Sequence, residues 1–276
     1  MEGSRHVVLG HYLRTRRERL KPEEVGLDAG GQHRRRAVGL RREEVAVLAN
    51  VSPAWYSRLE QGNKVRPSPE ILDSLADALR LGGSERRYLH ALGTDRVPTA
   101  APPVEADDRT LRFVRRIVEG CTADPVLAVD TCGDVVCGNA AVAEWYTDFT
   151  RCTGRDRNFL WWLLTAPEAR VRIADWAAFA RDQVAMMRYA VGTRTSDPRV
   201  TAMLEVLHTH CADFRRWWET HDVADEEIVT RTFRHPWRGL QRLEVLTVRP
   251  PVSSSVTVMI HCAPGPGRPR PEGLTA

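Results

Sequence analysis

Between Arg41 and Pro67 the chain carries two short amphipathic patterns set so close together that they read as one helix, a tight turn and a second helix. Val45, Leu48 and Ala49 recur at i, i+3 and i+4, so residues 42–49 predict a helix with one apolar face, and Asn50 stands where a left-handed residue closes the turn. The second helix, residues 52–61, has a defined start: Ser52 suits the N-cap, Pro53 the first helical position, and Val51 can pack on Tyr56 across the cap. Gly62 stops it. With Val51, Tyr56 and Leu59 turned inward, Ala54, Trp55 and Arg58 face outward, where a recognition helix needs side chains that reach base edges in a major groove. The arrangement is a helix-turn-helix and points to double-stranded DNA.

The flanking residues extend this into an all-α five-helix domain over residues 1–92. Leu9, Leu13 and Leu20 mark a first helix, Ser68-Pro69 opens a fourth with Ile71, Leu72, Leu75 and Leu79 inward, and Ser84 caps a fifth ending near Leu92. Their apolar positions are expected to close on one another. Residues 22–39 form a polar loop containing Arg34, Arg35 and Arg36, which serve either as solvated surface or as an arm along the DNA backbone. Residues 1–100 hold 18 Lys and Arg against 13 Asp and Glu, whereas the remainder is nearly balanced at 22 against 23. The basic surplus therefore lies wholly in the half that carries the helix-turn-helix, as a phosphate-binding module requires.

Proline and small residues over 93–106 read as a semi-stiff linker to a second domain over 107–263. That domain opens with a helix, then residues 125–130 and 135–139 predict a hairpin, residues 140–218 are helical with apolar spacing over 140–149, 175–189 and 198–218, and residues 228–233, 240–248 and 256–261 predict three further strands. Hairpin, helices and a three-stranded meander give an α+β domain with the element order of PAS-type sensors, in which a sheet and helices enclose a small pocket. The Gly/Pro/Arg-rich tail, 264–276, is expected to be disordered. No apolar run approaches the ~20 residues of a membrane span and no apolar leader opens the chain, so a cytoplasmic protein with no membrane contact is expected. The six cysteines include no Cys-x-x-Cys pair, which favours reduced thiols over a zinc or redox site, although Cys132 and Cys137 flank the hairpin.

The front of the chain resembles the XRE-type helix-turn-helix repressors over residues 9–92, most specifically through Leu59-Glu60-Gln61-Gly62 and Arg66-Pro67-Ser68-Pro69. That resemblance implies an ion pair between Glu60 and an arginine of the first helix, for which Arg17 is placed. The back resembles the ligand-binding domain of MmyB-like transcriptional regulators through Asp134-Val-Val-Cys-Gly-Asn139, Arg157-Asn158-Phe159, Asp175-Trp176, Asp197-Pro198, Phe214-Arg215-Arg216-Trp217, His221-Asp222-Val223 and His235-Pro236. Cys137-Gly138 departs from the family, which has a small or apolar residue followed by Trp there. This second resemblance implies a regulator with a PAS-like sensor and, for some members, a bound long-chain fatty acid.

For DNA, Ser52 and Arg42 are placed to contact phosphate, Ala54 to meet a thymine methyl, Arg58 to grip guanine, Trp55 to enter the groove or pack beneath the arginine loop, and Lys64 and Arg66 to clamp the backbone. One short helix reads only a few base pairs, so a homodimer on an inverted repeat is expected. Seven of the eight tryptophans lie beyond residue 107, and in the pairs Trp161-Trp162 and Trp217-Trp218 the two rings must face different ways. Trp176, Phe179, Met186 and Met187 with Phe214 and Trp217 form the expected apolar lining, with Arg157, Asn158, Arg188 and His235 as candidates to hold an acyl carboxylate. The expected partner is an apolar small molecule, a fatty acid by resemblance; the alternative is a protein partner for the second domain. His208 and His210 diverge on a helix, and no phosphate loop, nucleophile elbow or metalloprotease motif is present, so no catalytic residue, metal site or cofactor is expected.

Overall fold

The structure, a computed structural model, describes residues 5–27, 39–94, 108–193, 198–224, 228–249 and 255–264. The Arg34, Arg35 and Arg36 run, most of the expected linker and all but the first residue of the expected tail lie outside the described residues. Two compact units form, and they do not follow chain order: Met1–Ala101 joins Val184–Asp225, and Pro102–Gln183 joins Glu226–Ala276.

The first unit begins with α1 (Arg5–Arg19), α2 (Arg42–Leu48), α3 (Pro53–Glu60), α4 (Pro69–Ala78) and α5 (Gly83–Gly93). These five helices are termed the head. α2 ends as expected, with Asn50 taking a φ of 52° to turn the chain into α3. The Ser52 hydroxyl accepts a hydrogen bond from the Trp55 amide at 3.2 Å, Pro53 follows at the first helical position, and Ser68 caps α4 in the same way. α5 starts two residues earlier than a Ser84 cap would place it, because the Glu85 carboxylate accepts from the Gly82 amide at 3.0 Å and closes the helix end itself. Gly10 lets α1 cross the end of α3: a Cβ there would fall 2.5 Å from the Glu60 carbonyl oxygen.

Leu9, Tyr12, Leu13, Val45, Tyr56, Leu72, Leu75, Tyr88 and Leu89 form one buried core. The expectation that the head closes on its own apolar residues needs correction. Tyr189, only 5% exposed, belongs to the same core, and Val223 packs against it. Tyr189 lies on α10 (Trp176–Thr193), whose C-terminal half enters this unit with α11 (Pro198–His210) and α12 (Ala212–Glu219). The pattern over 198–218 reads as one helix but folds as two. Cys211 breaks it and then caps α12, its sulfur accepting from the Phe214 amide at 3.4 Å.

The second unit is a five-stranded antiparallel sheet built from β1 (Val126–Asp130), β2 (Val135–Gly138), β3 (Val229–His235), β4 (Gly239–Val248) and β5 (Val256–Cys262), in the order β2-β1-β5-β4-β3. The hairpin thus pairs through β1 with the last strand of the meander. Alternation sorts the side chains: Val126, Ala128, Val256 and Val258 meet Val114 and Val118 of α6 (Asp108–Gly120) on one face. The other face carries an aromatic cluster with α7 (Ala140–Trp145), α8 (Phe159–Thr165), α9 (Pro167–Arg172) and the start of α10. Tyr146 is its centre, with ring centroids 5.7 Å from Phe159, 5.7 Å from Trp162 and 5.4 Å from Phe233. Its hydroxyl meets His261 Nε2 at 2.5 Å while His261 Nδ1 lies 2.7 Å from the Pro125 carbonyl oxygen. Burial holds that histidine down to about 4, so it is neutral and its proton sits on Nδ1.

Candidate functional site

The outward side of α3 is the candidate nucleic-acid interface. Because Tyr56 and Leu59 turn into the core, Ala54, Arg58 and Gln61 emerge along one exposed stripe at i, i+4 and i+7. Sequence reading stopped short of Gln61, although the spacing that selects Ala54 and Arg58 reaches it. Ser52 is exposed with its hydroxyl engaged by the Trp55 amide, and Trp55 itself is half-buried against the head core. Lys64 and Arg66 are exposed just past Gly62, which ends the turn after α3 with a φ of 75°.

Behind this stripe the Glu60 side chain is fully buried and accepts three charged hydrogen bonds: from Arg17 Nε at 2.7 Å, Arg17 Nη2 at 2.9 Å and Arg42 Nε at 2.8 Å. Arg17 Nη1 also donates to the Leu40 carbonyl at 2.8 Å. Burial alone would raise the Glu60 carboxyl, but the two arginines outweigh it and hold it below its ordinary value. The Arg17 guanidinium is shifted upward in turn: burial works against it and Glu60 prevails. The pairing implied for Glu60 and Arg17 is therefore present. Arg42, expected at phosphate, spends its Nε on Glu60 while its side chain remains 38% exposed. The three helices α1, α2 and α3 are pinned at one buried carboxylate, which fixes the angle at which α3 presents its stripe.

The residues expected to line an effector pocket fall in different units. Arg157, Asn158, Trp176, Phe179 and His235 belong to the second, and Met186, Met187, Arg188, Phe214 and Trp217 to the first. Asn158 is wholly buried; its amide nitrogen donates to the Cys132 carbonyl and to Asp134, and its oxygen caps α8 by accepting from the Trp161 amide at 2.9 Å. Arg157 is exposed and donates to the Val135 carbonyl at 3.1 Å. His235 is 2% exposed, with Nδ1 accepting from the Trp237 and Arg238 amides, which leaves the Nε2 proton for Glu144 at 3.3 Å. Trp176 donates from its indole to the Leu163 carbonyl at 2.7 Å beneath the Arg170 guanidinium, and Phe179 is buried in the aromatic cluster. Of each tryptophan pair one ring is buried, Trp162 and Trp217, and the other half-buried, Trp161 and Trp218.

Within the first unit a cleft of about 1050 Å³ opens between α1 and α5 on one side and α10, α11 and α12 on the other. Val8, Leu92, Val191 and Leu204 give it apolar wall, and His11, Tyr88, His208, Trp218 and His221 give it rings. Among the expected effector residues Arg188 lines it. Arg188 is 3% exposed, stacks over Trp218 with its guanidinium carbon 4.0 Å from the ring centre, donates to the Trp218 carbonyl and lies 3.2 Å from His221 Nδ1. Its Nε is buried without a hydrogen-bond partner. Burial pulls the guanidinium below its usual value, with Tyr88 pulling back. At the same place the segment after α12 grips α1: Arg16 donates to the His221 carbonyl at 2.8 Å, and Arg19 donates to the Thr220 carbonyl and pairs with Asp222.

Compared with known families, residues 112–273 match the MmyB-like transcription regulator ligand binding domain, more than half of the chain. The chain belongs to this MmyB-like family. Residues 8–89 of the MmyB-like chain match a helix-turn-helix domain, so the head is the DNA-binding part of a transcription regulator and the ligand-binding domain follows it. No curated protein matches the chain. Among the described residues no helix is long and apolar enough to cross a membrane. The MmyB-like match spans both compact units, since it contains the α10–α12 stretch that packs with the head.

Proposed function

We propose that this MmyB-like chain binds an inverted-repeat operator as a homodimer and that an apolar small molecule, of the fatty-acid type, taken up by the ligand-binding domain changes its operator affinity. One observation carries the reading: α10 and the segment after α12, which lie inside the ligand-binding match, contribute Tyr189 and Val223 to the packing of the DNA-binding head. A ligand that shifts those elements acts on the head through shared core, with no separate relay needed. Within the DNA interface, Arg58 and Gln61 read bases, Ala54 and Trp55 fill the groove, and Ser52, Arg42, Lys64 and Arg66 hold phosphate. Of the residues expected to contact the ligand, Arg188 is proposed as the polar contact, because it lines the cleft of the first unit. The test is operator binding by the full chain across fatty acids of increasing length. Ligand affinity should climb by roughly 0.8 kcal/mol per CH₂ until the site is full. Operator affinity should shift by ~1–3 kcal/mol, a usual size for coupling between two sites. A flat response across the series rejects the fatty-acid reading.

A second reading, a protein partner for the ligand-binding domain, is favoured by Trp237, which stands 86% exposed at the β3–β4 turn. Trp237→Ala leaves a small-molecule response intact and abolishes a protein-dependent one, which separates the two.

A further inference from the structure

We propose that the cleft beside α1 and α5 is a binding site for a small carboxylate carrying a planar ring system, with Arg188 as the residue that receives its charge. This rests on the reading of the chain as an effector-responsive regulator, and it assigns a place and a ligand chemistry within it. The charge count comes first. Arg16 pairs with Glu85 at 3.0 Å and with Asp222 at 3.7 Å, and Arg19 pairs with Asp222 as well. Glu85 and Asp222 are thus shared by other arginines, and among the described residues no carboxylate, Glu205 of the cleft lining included, lies within ion-pairing distance of Arg188. A guanidinium stays charged even when buried, so Arg188 places a positive charge on the cleft wall with one N–H group unsatisfied. A ligand oxyanion in the cleft supplies the missing counter-charge.

The neighbouring groups do not compete for that role. His221 is held down to about 3 by burial beside Arg188, so it is neutral; with Nδ1 facing Arg188, its proton sits on Nε2. His221 thus adds no charge to the wall; the lining does hold one carboxylate, Glu205, which makes no ion pair with Arg188. The rest of the lining selects the ligand body. Five rings, His11, Tyr88, His208, Trp218 and His221, face the cleft with Val8 and Leu204, a surface that stacks on a flat aromatic system more closely than on a flexible chain. A volume of about 1050 Å³ has room for two or three fused rings with their substituents. Because α1 and α5 form one wall and α10–α12 the other, such a ligand would touch the DNA-binding head directly.

The test is calorimetric titration of the full chain with 2-naphthoate, with 2-naphthamide as the uncharged match, and with a long-chain fatty acid alongside. Naphthoate should bind at least tenfold more tightly than the amide. Arg188→Gln should erase that preference, and Thr201→Trp, which fills the cleft from its half-exposed wall and leaves Arg188 in place, should abolish binding of both aromatic probes. If Arg188→Gln does not fold, the amide comparison and Thr201→Trp still decide. No naphthoate binding, equal affinity for acid and amide, or unchanged binding to Thr201→Trp overturns the site. Naphthoate binding that leaves operator affinity unchanged supports the site and counts against the regulatory reading instead. A fatty-acid response without naphthoate binding does the reverse.

Discussion

The Glu60 side chain is the most heavily committed charge in the head. Its carboxylate is buried, and Arg17 is buried with it, so removing one partner strands the other. Arg17→Met should cost about 3–5 kcal/mol in urea unfolding, toward the lower figure because Arg42 remains. The same site sets an acid limit. Because the Glu60 carboxyl is held below its ordinary 4.5, the unfolded chain takes up that proton first; the stabilisation is complete above about pH 4.5 and is lost as pH falls through the lower folded-state value. Glu60→Gln should flatten that limb of the stability–pH curve, and an unchanged limb would assign the acid sensitivity elsewhere. On the outer face, Arg58→Ala should relax preference at one base position per half-site, at ~1–3 kcal/mol, whereas Arg66→Ala should weaken all sequences alike and reduce the log–log salt slope by about 1. A binding-site selection on both variants separates them, and full discrimination by Arg58→Ala would mean that α3 lies in the groove another way round.

Helices that the sequence marks by period and cap were legible from it: the apolar spacing, Ser52-Pro53, Ser68-Pro69 and Asn50 locate α2, α3 and α4 to within a residue or so. The positions of the strands followed from alternation and turn spacing, but the pairing of β1 with β5 that orders the sheet did not. What the periodicity could not reveal is which surface a helix packs on. α10 has apolar residues around much of its circumference, so Trp176 and Phe179 read as equivalent to Met186 and Met187, although they belong to different units. Trp218, Tyr88 and His221 were missed as cleft residues for the same reason, since their meeting depends on contacts across a hundred or more positions of chain. Gly192 marks that meeting. Helical Gly→Ala normally gains up to ~1 kcal/mol, but a Cβ at Gly192 would lie 2.1 Å from Tyr88 Cε2, in a ring only 2% exposed. Overpacking of this kind costs ~1–3 kcal/mol, so Gly192→Ala should lower the melting temperature. A stabilised variant would show that α10 and α5 do not approach so closely in solution.

Chain connectivity gives the two units an unequal relation. The polypeptide leaves the first unit after Ala101, returns at Val184 and leaves again after Asp225, so Pro102–Gln183 is an insertion between two segments of one folding unit. A DNA-binding head joined by a simple tether would be released by cutting the tether. Here the severed piece would keep α1–α5 while Tyr189 and Val223, which pack with that core, stayed on the other. A protease site engineered into residues 95–100 should therefore yield a nicked protein that migrates as one particle in buffer and as two only in denaturant. Two peaks in buffer would make the covalent link essential. One peak would mean that the peptide bond between head and remainder is redundant, and that the α1–α5 fragment and the remainder, expressed as separate chains, should reassemble into a regulator.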